Sequence, residues 1–233
     1  MTFKNINDIR RLLQKAPDNN VNGDHIIASG TIVDNKSTTH DFQVLCGWSD
    51  SIARQCDLNW GAFHYSVLKN IETQAAGDNE QFVKLIQQFS LEDAHWQWET
   101  KHQYMFSSQY NWFYLMIDGK PEAACLIYHP KVGTLTKEPI FYIEYLAVAP
   151  WNRINPVCDQ VYKGLGTILL KEVILYAENK LTLCDGFSLH SLSKAEGFYA
   201  KIGMKSIDSQ AKQGMTYFEM EKSNLSQFMG VQQ

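Results

Sequence analysis

The order of the predicted elements after residue 110 is the feature that most constrains the fold of this chain. Short runs rich in aromatic and β-branched residues predict strands, and apolar residues recurring every three or four positions predict helices. The predicted strands are Trp112–Ile117, Glu122–Tyr128, Ile140–Val148, Gly186–His190 and Thr216–Met220, and the predicted helices are Thr167–Asn179 and Ser193–Ile202. Three strands followed by helix, strand, helix and strand predict an α/β (α+β) fold, a mixed sheet with helices packed on it.

Local signals mark three positions in this second half. Asp118-Gly119 is a two-residue hairpin turn between the first two strands. Ser193 followed by Glu196 predicts a capping box at the start of the last helix. Gly203 stands where a helix ends on a left-handed residue.

The first half of the chain contains no motif that carries chemistry. A short amphipathic helix is predicted at Asn5–Lys15 and ends at Pro17–Asn20, and the strands His25–Val33 and Asp41–Cys46 are predicted to pair as a hairpin. Further helices are predicted at 50–71, 80–89 and 92–105. We predict an N-terminal extension over residues 1–50 packed on the core, a main domain over 51–222 and a C-terminal tail over 223–233.

The balance of charge and the cysteine pattern indicate partners and compartment. The chain has 21 basic and 25 acidic residues, a net charge of −4, and no run of Lys or Arg, which argues against a basic face for nucleic acid. No apolar stretch approaches the ~20 residues that span a bilayer. Five cysteines without a Cys-x-x-Cys pair predict free thiols and no metal site. We therefore predict a cytoplasmic protein without nucleic-acid or membrane partners.

The segment Val161–Thr167, with the sequence VYKGLGT, follows a strand and opens a helix. Two glycines two positions apart let the backbone take positive φ and approach a ligand closely. The unpaired N–H groups of a helix start, with the helix dipole, favour an anion such as a diphosphate. For these residues alone, a tight turn into a helix is the alternative interpretation. The pattern is neither a P-loop nor a dinucleotide-binding fingerprint, because the required Gly-Lys-Ser/Thr and third glycine are missing.

Three blocks in this order resemble the GNAT superfamily of N-acetyltransferases. They are Ile143–Pro150 (IEYLAVAP), the Gly164-Leu165-Gly166 turn with its helix, and Ala195–Met204 (AEGFYAKIGM), which is similar to the family's Ala-x-x-Phe-Tyr-x-Lys-x-Gly-Phe signature. The resemblance covers about residues 112–220. It implies a GNAT-like fold, in which a mostly antiparallel central sheet has a splayed strand pair and is flanked by helices, here with an N-terminal extension.

The resemblance also implies how acetyl-CoA, the cosubstrate, is bound. The backbone of Leu146, Ala147 and Val148 is expected to pair with the pantetheine arm like an extra strand. The hydroxyl of Tyr199 is expected near the CoA sulfur, where it protonates the departing thiolate. The turn expected to wrap the pyrophosphate comprises Val161, Tyr162, Lys163, Gly164, Leu165, Gly166 and Thr167.

A general base is also needed, because a protonated amine does not attack a thioester. Family members often use an acidic residue on the splayed strand, and Glu144 is the candidate. Strand alternation predicts that Tyr142, Glu144, Leu146 and Val148 share one face. Partial burial would raise the pKa of the Glu144 carboxyl toward the range useful for proton transfer. The alternative is that the Glu144 carboxylate is hydrogen-bonded within the protein and only shapes the pocket.

Four residues are candidates for contacting the acceptor. Tyr142 shares the predicted face of Glu144, and His190 ends a strand. Asn152 and Arg153 begin a long loop, 149–160, beside the expected cleft. Two further positions depart from the family pattern. Val161 stands where Gln or Arg is usual, and Leu192 where Asn is frequent.

The sequence leaves the following functions open. The leading interpretation is an N-acetyltransferase that moves an acetyl group from acetyl-CoA directly to a primary amine of a small molecule or a protein. A second interpretation is an acyl-CoA-binding sensor or scaffold with little or no catalytic activity, and a third is a transferase for longer acyl groups. The aromatic residues of the first half are expected in the core, with an acceptor pocket or a homodimer interface as alternatives.

Overall fold

A computed structural model describes residues 26–230. The predicted helix Asn5–Lys15, its break at Pro17–Asn20 and the end of the predicted tail lie outside the described residues. The strands are β1 (Ile26–Val33), β2 (Thr39–Cys46), β3 (Tyr110–Ile117), β4 (Lys120–Val132), β5 (Pro139–Val148), β6 (Gly186–Ser191), β7 (Lys205–Ser206) and β8 (Thr216–Glu221). The helices are α1 (Asp50–Gln55), α2 (Gly61–Ala75), α3 (Asn79–Ile86), α4 (Trp98–Lys101), α5 (Leu165–Leu181), α6 (Glu196–Lys201) and α7 (Lys222–Met229).

All eight strands form one sheet in the order β1-β2-β3-β4-β5-β6-β8-β7. Neighbouring strands are antiparallel except β5 and β6, which are parallel. The β3–β4 turn has positive φ at Asp118 and Gly119, as a two-residue hairpin with the strand twist requires. The predicted mixed α/β sheet, its central apolar strand and the hairpin of the first two strands, here β1 and β2, are confirmed.

Helix α5 covers one face of the sheet. Its residues at intervals of four form a buried stripe against β3, β4 and β5. The stripe consists of Leu165, Leu169, Leu170, Val173, Ile174 and Ala177. Helices α1, α2 and α4 cover the opposite face, where tryptophans pack on the sheet. The main contacts there are Trp60, Trp98, Trp112, Tyr114 and Leu126. Each face of β5 therefore meets a different layer of the molecule.

Two local predictions were wrong. Only Trp98–Lys101 of the expected helix 92–105 is α-helical, because the Asp57 carboxylate accepts the N–H groups of Trp98 and Glu99 and starts the helix there. The capping box is absent from α6, since the Glu196 carboxylate accepts the Thr216 hydroxyl at 2.7 Å instead.

The structure also bears on the predicted boundaries at residues 50 and 222. Strands β1 and β2 are continuous with the main sheet through the β2–β3 pairing. Helix α7 begins at Lys222 and buries Leu225 in the core on the α5 side of the sheet. The division into extension, domain and tail stays a prediction. Within residues 26–230, no helix combines the length and apolar character needed to cross a membrane.

Candidate active site

The sheet opens between its two parallel strands. The pairing of β5 with β6 runs from Phe141 and Phe187 to Ile143 and Leu189, although β5 continues for five more residues. The backbone of β5 after Ile143 therefore has no β6 partner. On its other edge it remains paired with β4 up to Val148.

A β-bulge in β5 lies at the start of this opening. Leu126 of β4 pairs with Tyr145 and Ile127 pairs with Ile143, so Glu144 is the additional residue on the β5 side. The bulge reverses the alternation of side chains along the strand. Tyr142 and Glu144 therefore do not share a face with Leu146 and Val148, as strict alternation predicted. Leu146 and Val148 pack in the α5-side core, whereas Tyr145 and Ala147 pack on the tryptophan side.

The opening leads on the α5 side into a cleft of about 370 Å³. Four parts of the chain line it: the free stretch of β5 with Arg153 after it, the start of α5, the segment from Leu192 to Tyr199, and the segment from Ser90 to Asp93. The predicted cofactor residues that line the cleft are Leu146, Ala147, Val148, Gly164, Gly166, Thr167 and Tyr199. The sequence blocks that were predicted to act together therefore meet in space.

Helix α5 begins at the edge of this cleft without a side-chain cap. Its N-cap residue is Gly164, which has φ of +79°. A Cβ on Gly166 would lie 3.6 Å from Val148 Cγ1, so the absence of a side chain there keeps the space between α5 and β5 open. The first N–H groups of the helix have no intrahelical partner and are not capped by a side chain, so they are available to an anion.

The comparisons with known proteins bear on this architecture. No family model matches the sequence, and no curated protein matches it. Among solved structures, the GNAT domain of S. lividans PAT aligns with a TM-score of 0.50 at 10% identity over 83% of this chain and 96% of that domain. The chain has the GNAT acetyltransferase fold.

Two further solved structures also align with this chain. An uncharacterized protein from Bacillus halodurans also reaches a TM-score of 0.50, at 10% identity over 88% of this chain and 96% of its own. The PaiA N-acetyltransferase of Thermoplasma acidophilum, determined in complex with coenzyme A, has a TM-score of 0.44 at 13% identity over 76% of this chain and 98% of its own.

Not all of the predicted pyrophosphate turn is free to bind a ligand. The Val161 N–H is directed to the Trp151 carbonyl at 3.4 Å, and the Tyr162 N–H donates to Asn152 Oδ1 at 3.0 Å. The Leu165 side chain is buried in the core, and Lys163 is exposed outside the cleft lining. The residues of this turn that remain candidates for contacting an anion are therefore those at the helix start, from Gly164 to Thr167.

Asn152 braces the loop that precedes this turn. It is 6% exposed; its Nδ2 donates to Glu122 Oε2 at 2.7 Å, and its Oδ1 accepts the Tyr162 N–H. Trp151 Nε1 donates to the same Glu122 oxygen at 2.6 Å. Because its amide group is buried and engaged at both ends, Asn152 is placed to fix the loop rather than to contact an acceptor, which corrects the sequence prediction.

Arg153 is also a structural clamp. Its guanidinium pairs with both Asp93 oxygens at 2.6 Å and donates to the Val148 carbonyl at 2.6 and 3.0 Å. A further contact joins it to the Ser90 carbonyl at 3.3 Å. The clamp ties the free end of β5 to the segment after α3. Arg153 lines the cleft, but its donors are largely used within the protein.

Tyr199 lies on α6 and reaches toward the sheet. It is 7% exposed, packs in the α5-side core and lines the cleft. Burial raises the pKa of its hydroxyl, with a smaller contribution from the nearby Cys125 thiol on β4. Cys125 pairs with Leu146, which belongs to the stretch of β5 that has no β6 partner. Because Tyr199 lies near Cys125, it also lies near this stretch of β5. A phenol with a raised pKa holds its proton at neutral pH and is available as a donor.

Glu144 lies on the tryptophan side of the opening. Burial raises the pKa of its carboxyl, and the ammonium groups of Lys131 and Lys212 lower it in part. Glu144 does not line the α5-side cleft. The charge of Glu144 acts on Tyr110, Tyr142 and Tyr145, which surround it on this side. The candidate base and the candidate acid are therefore on opposite sides of the opening.

Tyr142 and His190 form a defined pair beside Glu144. His190 Nε2 lies 2.8 Å from the Gln210 carbonyl, which only accepts, so this nitrogen carries the proton. His190 Nδ1 then accepts the Tyr142 hydroxyl at 2.6 Å. Burial lowers the pKa of the His190 imidazole, which agrees with a neutral ring. Tyr142 and His190 lie on the same side of the sheet as Glu144, as the sequence prediction of acceptor contacts requires. Their polar groups, however, are hydrogen-bonded to each other.

Sequence reasoning missed the outer wall of the cleft. Ser90, Glu92 and Asp93 line it, and Glu92 Oε2 accepts the Lys194 N–H at 3.1 Å from across the cleft. Glu92 and Asp93 fall at the start of the predicted helix 92–105 and Ser90 lies just before it, where the sequence pattern predicted no cleft wall. Asp93 also lines a second cavity of about 430 Å³ beside α2 and α4. No local motif distinguishes Glu92 or Asp93 from ordinary surface carboxylates.

Proposed function

We propose that this protein is an N-acetyltransferase that moves the acetyl group of acetyl-CoA directly to a primary amine. The observation that carries the proposal is the opening of the sheet after Ile143 and Leu189, which leads into a cleft lined by the uncapped start of α5. An extended, amide-bearing ligand can pair with the free β5 backbone, while its diphosphate meets the helix start.

The residues of the cleft fit the chemistry of acetyl-CoA. Leu146 and Val148 offer main-chain groups to the pantetheine arm, although the Val148 carbonyl is already taken by Arg153. Gly164, Gly166 and Thr167 offer the helix start to the diphosphate. When bound, acetyl-CoA supplies the acetyl thioester that the amine attacks.

The two candidate proton-transfer residues divide the chemistry between the two sides of the sheet. We assign Glu144 as the general base, which removes a proton from the acceptor amine directly or through water. Its carboxyl has a raised pKa, which brings its basicity closer to that of the amine. We assign Tyr199, which lines the cleft, as the acid that gives its proton to the departing thiolate.

A binding protein without catalysis is the second candidate. The N–H groups of Val161 and Tyr162 are engaged within the protein, and the cleft wall carries the apolar Leu192. Both features reduce the polar groups available to the ligand. Binding of acetyl-CoA without thiol release to any amine would favour this function over the transferase.

The first test is calorimetric titration of the protein with acetyl-CoA and with free CoA at fixed salt. The proposal predicts a micromolar Kd, about −8 kcal/mol. Gly166→Val should weaken binding at least about 10-fold (1.4 kcal/mol), because the added branch fills the space beside Val148 Cγ1. Gly61→Val on α2 is the matched control, since nothing lies within 4 Å of a Cβ there.

The outcomes separate the candidates. Binding that is lost in Gly166→Val and kept in Gly61→Val supports the cleft as the cofactor site. The second step is thiol release with an amine panel, in which turnover supports the transferase. Absence of binding to either ligand by the folded wild-type protein would contradict both candidates.

A further inference from the structure

Glu122, near the start of β4, is a buried carboxylate to which the proposed chemistry gives no role. The residue is 4% exposed, although Glu is rarely buried without partners. Burial raises the pKa of its carboxyl, and hydrogen bonds from Asn152 and Trp151 lower it in part. The charged groups that act on it, Lys120 and Asp118, do so with opposite signs. Because a carboxylate is costly to bury unless it is hydrogen-bonded, the role of Glu122 is expected to lie in its partners.

Both side-chain donors to Glu122 come from the loop that connects β5 with α5. Trp151 Nε1 and Asn152 Nδ2 donate to the same oxygen, Oε2, at 2.6 and 2.7 Å. The main chain makes a third link, since the Ala149 N–H donates to the Glu122 carbonyl at 2.9 Å. Glu122 on β4 therefore holds the first residues of this loop, just after the free stretch of β5.

Asn152 extends this constraint to the turn before α5. Its Oδ1 accepts the Tyr162 N–H at 3.0 Å, and its carbonyl accepts Gln160 Nε2 at 3.1 Å. The Glu122 carboxylate only accepts and the Tyr162 N–H only donates, so the Asn152 amide fits between them in one orientation. The position of Tyr162 therefore depends on Glu122 through a single side chain.

Other contacts hold the same turn from the side of the β1–β2 hairpin. The Val161 carbonyl accepts the Asn35 N–H at 2.9 Å. The buried Tyr162 ring meets the His40 ring edge to face, with centroids 5.5 Å apart. The turn is thus fixed between the hairpin on one side and the Glu122–Asn152 contact on the other.

Only a short piece of chain separates Tyr162 from the free N–H groups of α5. Lys163 and the N-cap Gly164 lie between Tyr162 and Leu165, whose side chain is buried in the core. The positions of Tyr162 and Leu165 therefore determine where the first N–H groups of the helix point. A binding site keeps its geometry within about 0.5 Å only when surrounding contacts support it.

We propose that Glu122 is a positioning residue for the diphosphate of CoA: its carboxylate holds Asn152, and Asn152 holds the Tyr162 N–H, so that the start of α5 keeps the geometry that binds the anion. The inference rests on the proposed transferase function and adds a determinant of its cofactor affinity. Glu122 does not line the cleft, so it acts through Asn152. Its negative charge alone would disfavour a diphosphate, so its contribution to binding is geometric.

The alternative is a purely structural role, in which Glu122 stabilises the folded protein without affecting the anion site in particular. The two roles differ in which part of CoA is affected. Loss of positioning weakens the contact with the diphosphate and leaves the pantetheine arm, which pairs with β5, unchanged. A general loosening of the cleft weakens the binding of both parts.

The first measurement therefore compares CoA with pantetheine, the arm of CoA without its diphosphate and nucleotide. Calorimetry gives the Kd for CoA, and NMR titration gives the Kd for the weaker pantetheine. Glu122→Met keeps an unbranched side chain of similar length but removes the acceptor. The Kd for CoA should then rise about 10-fold, while the Kd for pantetheine should change less than about 2-fold.

Glu122→Gln separates the hydrogen-bond acceptor from the charge. Both substitutions at this position remove the same negative charge, but the amide oxygen can still accept from Asn152 and Trp151. Glu122→Gln should therefore recover most of the affinity that Glu122→Met loses. Glu178→Gln, at an exposed carboxylate on α5, controls for the change in net charge and should bind CoA as the wild type does.

Asn152→Asp tests the next contact with an isosteric change, so the test does not depend on the stability of Glu122→Met. The substitution keeps the acceptor for the Tyr162 N–H but places a second carboxylate oxygen at the present 2.7 Å contact with Glu122. The Kd for CoA should rise. Adding Glu122→Gln should recover part of this loss, because its amide can donate to the new carboxylate.

The outcomes separate this inference from the proposed function. A Kd for CoA that rises in Glu122→Met, with pantetheine unchanged and recovery in Glu122→Gln, supports the positioning role. Equal weakening of CoA and pantetheine, or an unchanged Kd for CoA in both Glu122→Met and Asn152→Asp, overturns this role and leaves the proposed function standing. Absence of CoA binding by the folded wild-type protein overturns both.

Discussion

The two sides of strand β5 are built in different ways. On the α5 side, main-chain groups, glycines and apolar side chains line much of the cleft, and Glu92, Asp93, Arg153 and Lys194 add charged groups to its lining. On the opposite side, aromatic rings hold charged groups around Glu144. The first surface suits an extended ligand that is recognised through its backbone-like amides. The second places Glu144, the proposed base, among aromatic side chains.

The difference also concerns how far apart the contributing residues are in the sequence. The α5-side cleft is assembled mainly from continuous blocks, one at the end of β5, one at the start of α5 and one at α6. The opposite side combines single residues from α4, β4, β5 and the loop before β8. Consequently the first surface can be recognised in a sequence, whereas the second becomes visible only when the chain is folded.

The largest expected effect concerns the clamp that joins the two sides. Arg153→Met leaves the Asp93 carboxylate, which is 9% exposed, without its cation, and loss of one partner of a buried pair costs about 3 kcal/mol. Urea unfolding should show this decrease as a lower midpoint with an unchanged m-value. The double variant with Asp93→Asn should be less destabilised than the sum of the single changes. Strict additivity would mean that the pair does not couple the two segments.

The next effect tests the base on the acceptor side. Glu144→Gln should lower kcat/KM about 100-fold, equal to about 2.7 kcal/mol. Glu144 acts in its ionised form and burial raises its pKa, so the wild-type rate should fall as pH drops through that raised pKa. The variant should lack this acidic limb. Glu138→Gln, an exposed carboxylate just before β5, is the control, and a wild-type pH profile in Glu144→Gln would remove Glu144 from the mechanism.

A smaller effect tests the acid on the cofactor side. Tyr199→Phe removes the proposed proton donor but keeps the ring in the core, so we expect kcat to fall about 10-fold while the Kd for acetyl-CoA is unchanged. Tyr65→Phe at an exposed position serves as the control. If instead the variant binds acetyl-CoA more weakly and keeps its kcat, Tyr199 only shapes the cleft.

The smallest effect concerns the β1–β2 hairpin, which contacts the 161–167 turn through the hydrogen bond from the Asn35 N–H to the Val161 carbonyl. His40 lies between Asp34 and Asp118 at 3.2 and 2.9 Å, and hydrogen bonding to Asp34 raises the pKa of its imidazole. The folded state therefore gains stability below the ordinary value of 6.5, and loses it as pH rises through the raised pKa. Thermal unfolding from pH 5.5 to 8.5 should show this decline in wild type. The decline should be absent in His40→Gln, and an equal decline in both proteins would exclude His40 as its source.

Much of the fold was predictable because its signals are local. The hairpin at Asp118-Gly119, the apolar β5 strand and the glycine turn before α5 each depend on neighbours in the sequence. The helix predicted at 92–105 failed because Asp57, about 40 residues away, starts α4 at Trp98. Tertiary contacts of this kind leave no periodic pattern.

The site was predictable in part for the same reason. The three blocks that form the cleft were recognised, but strict alternation placed Glu144 on the wrong face, since a β-bulge depends on the register with β4. Asn152 and Arg153 were expected to contact an acceptor, yet their partners Glu122 and Asp93 come from distant segments. A loop residue that is engaged inside the protein cannot be distinguished from an exposed one by sequence alone.

The measurement that tests the account most directly is a crystal structure of the protein with CoA. The account predicts the pantetheine arm against Leu146 and Val148, the diphosphate at the start of α5, and the sulfur within hydrogen-bond distance of the Tyr199 hydroxyl. The side of β5 that carries Glu144 should remain free for the acceptor. CoA bound outside the opening, or β5 and β6 paired beyond Leu189 in the complex, would contradict it.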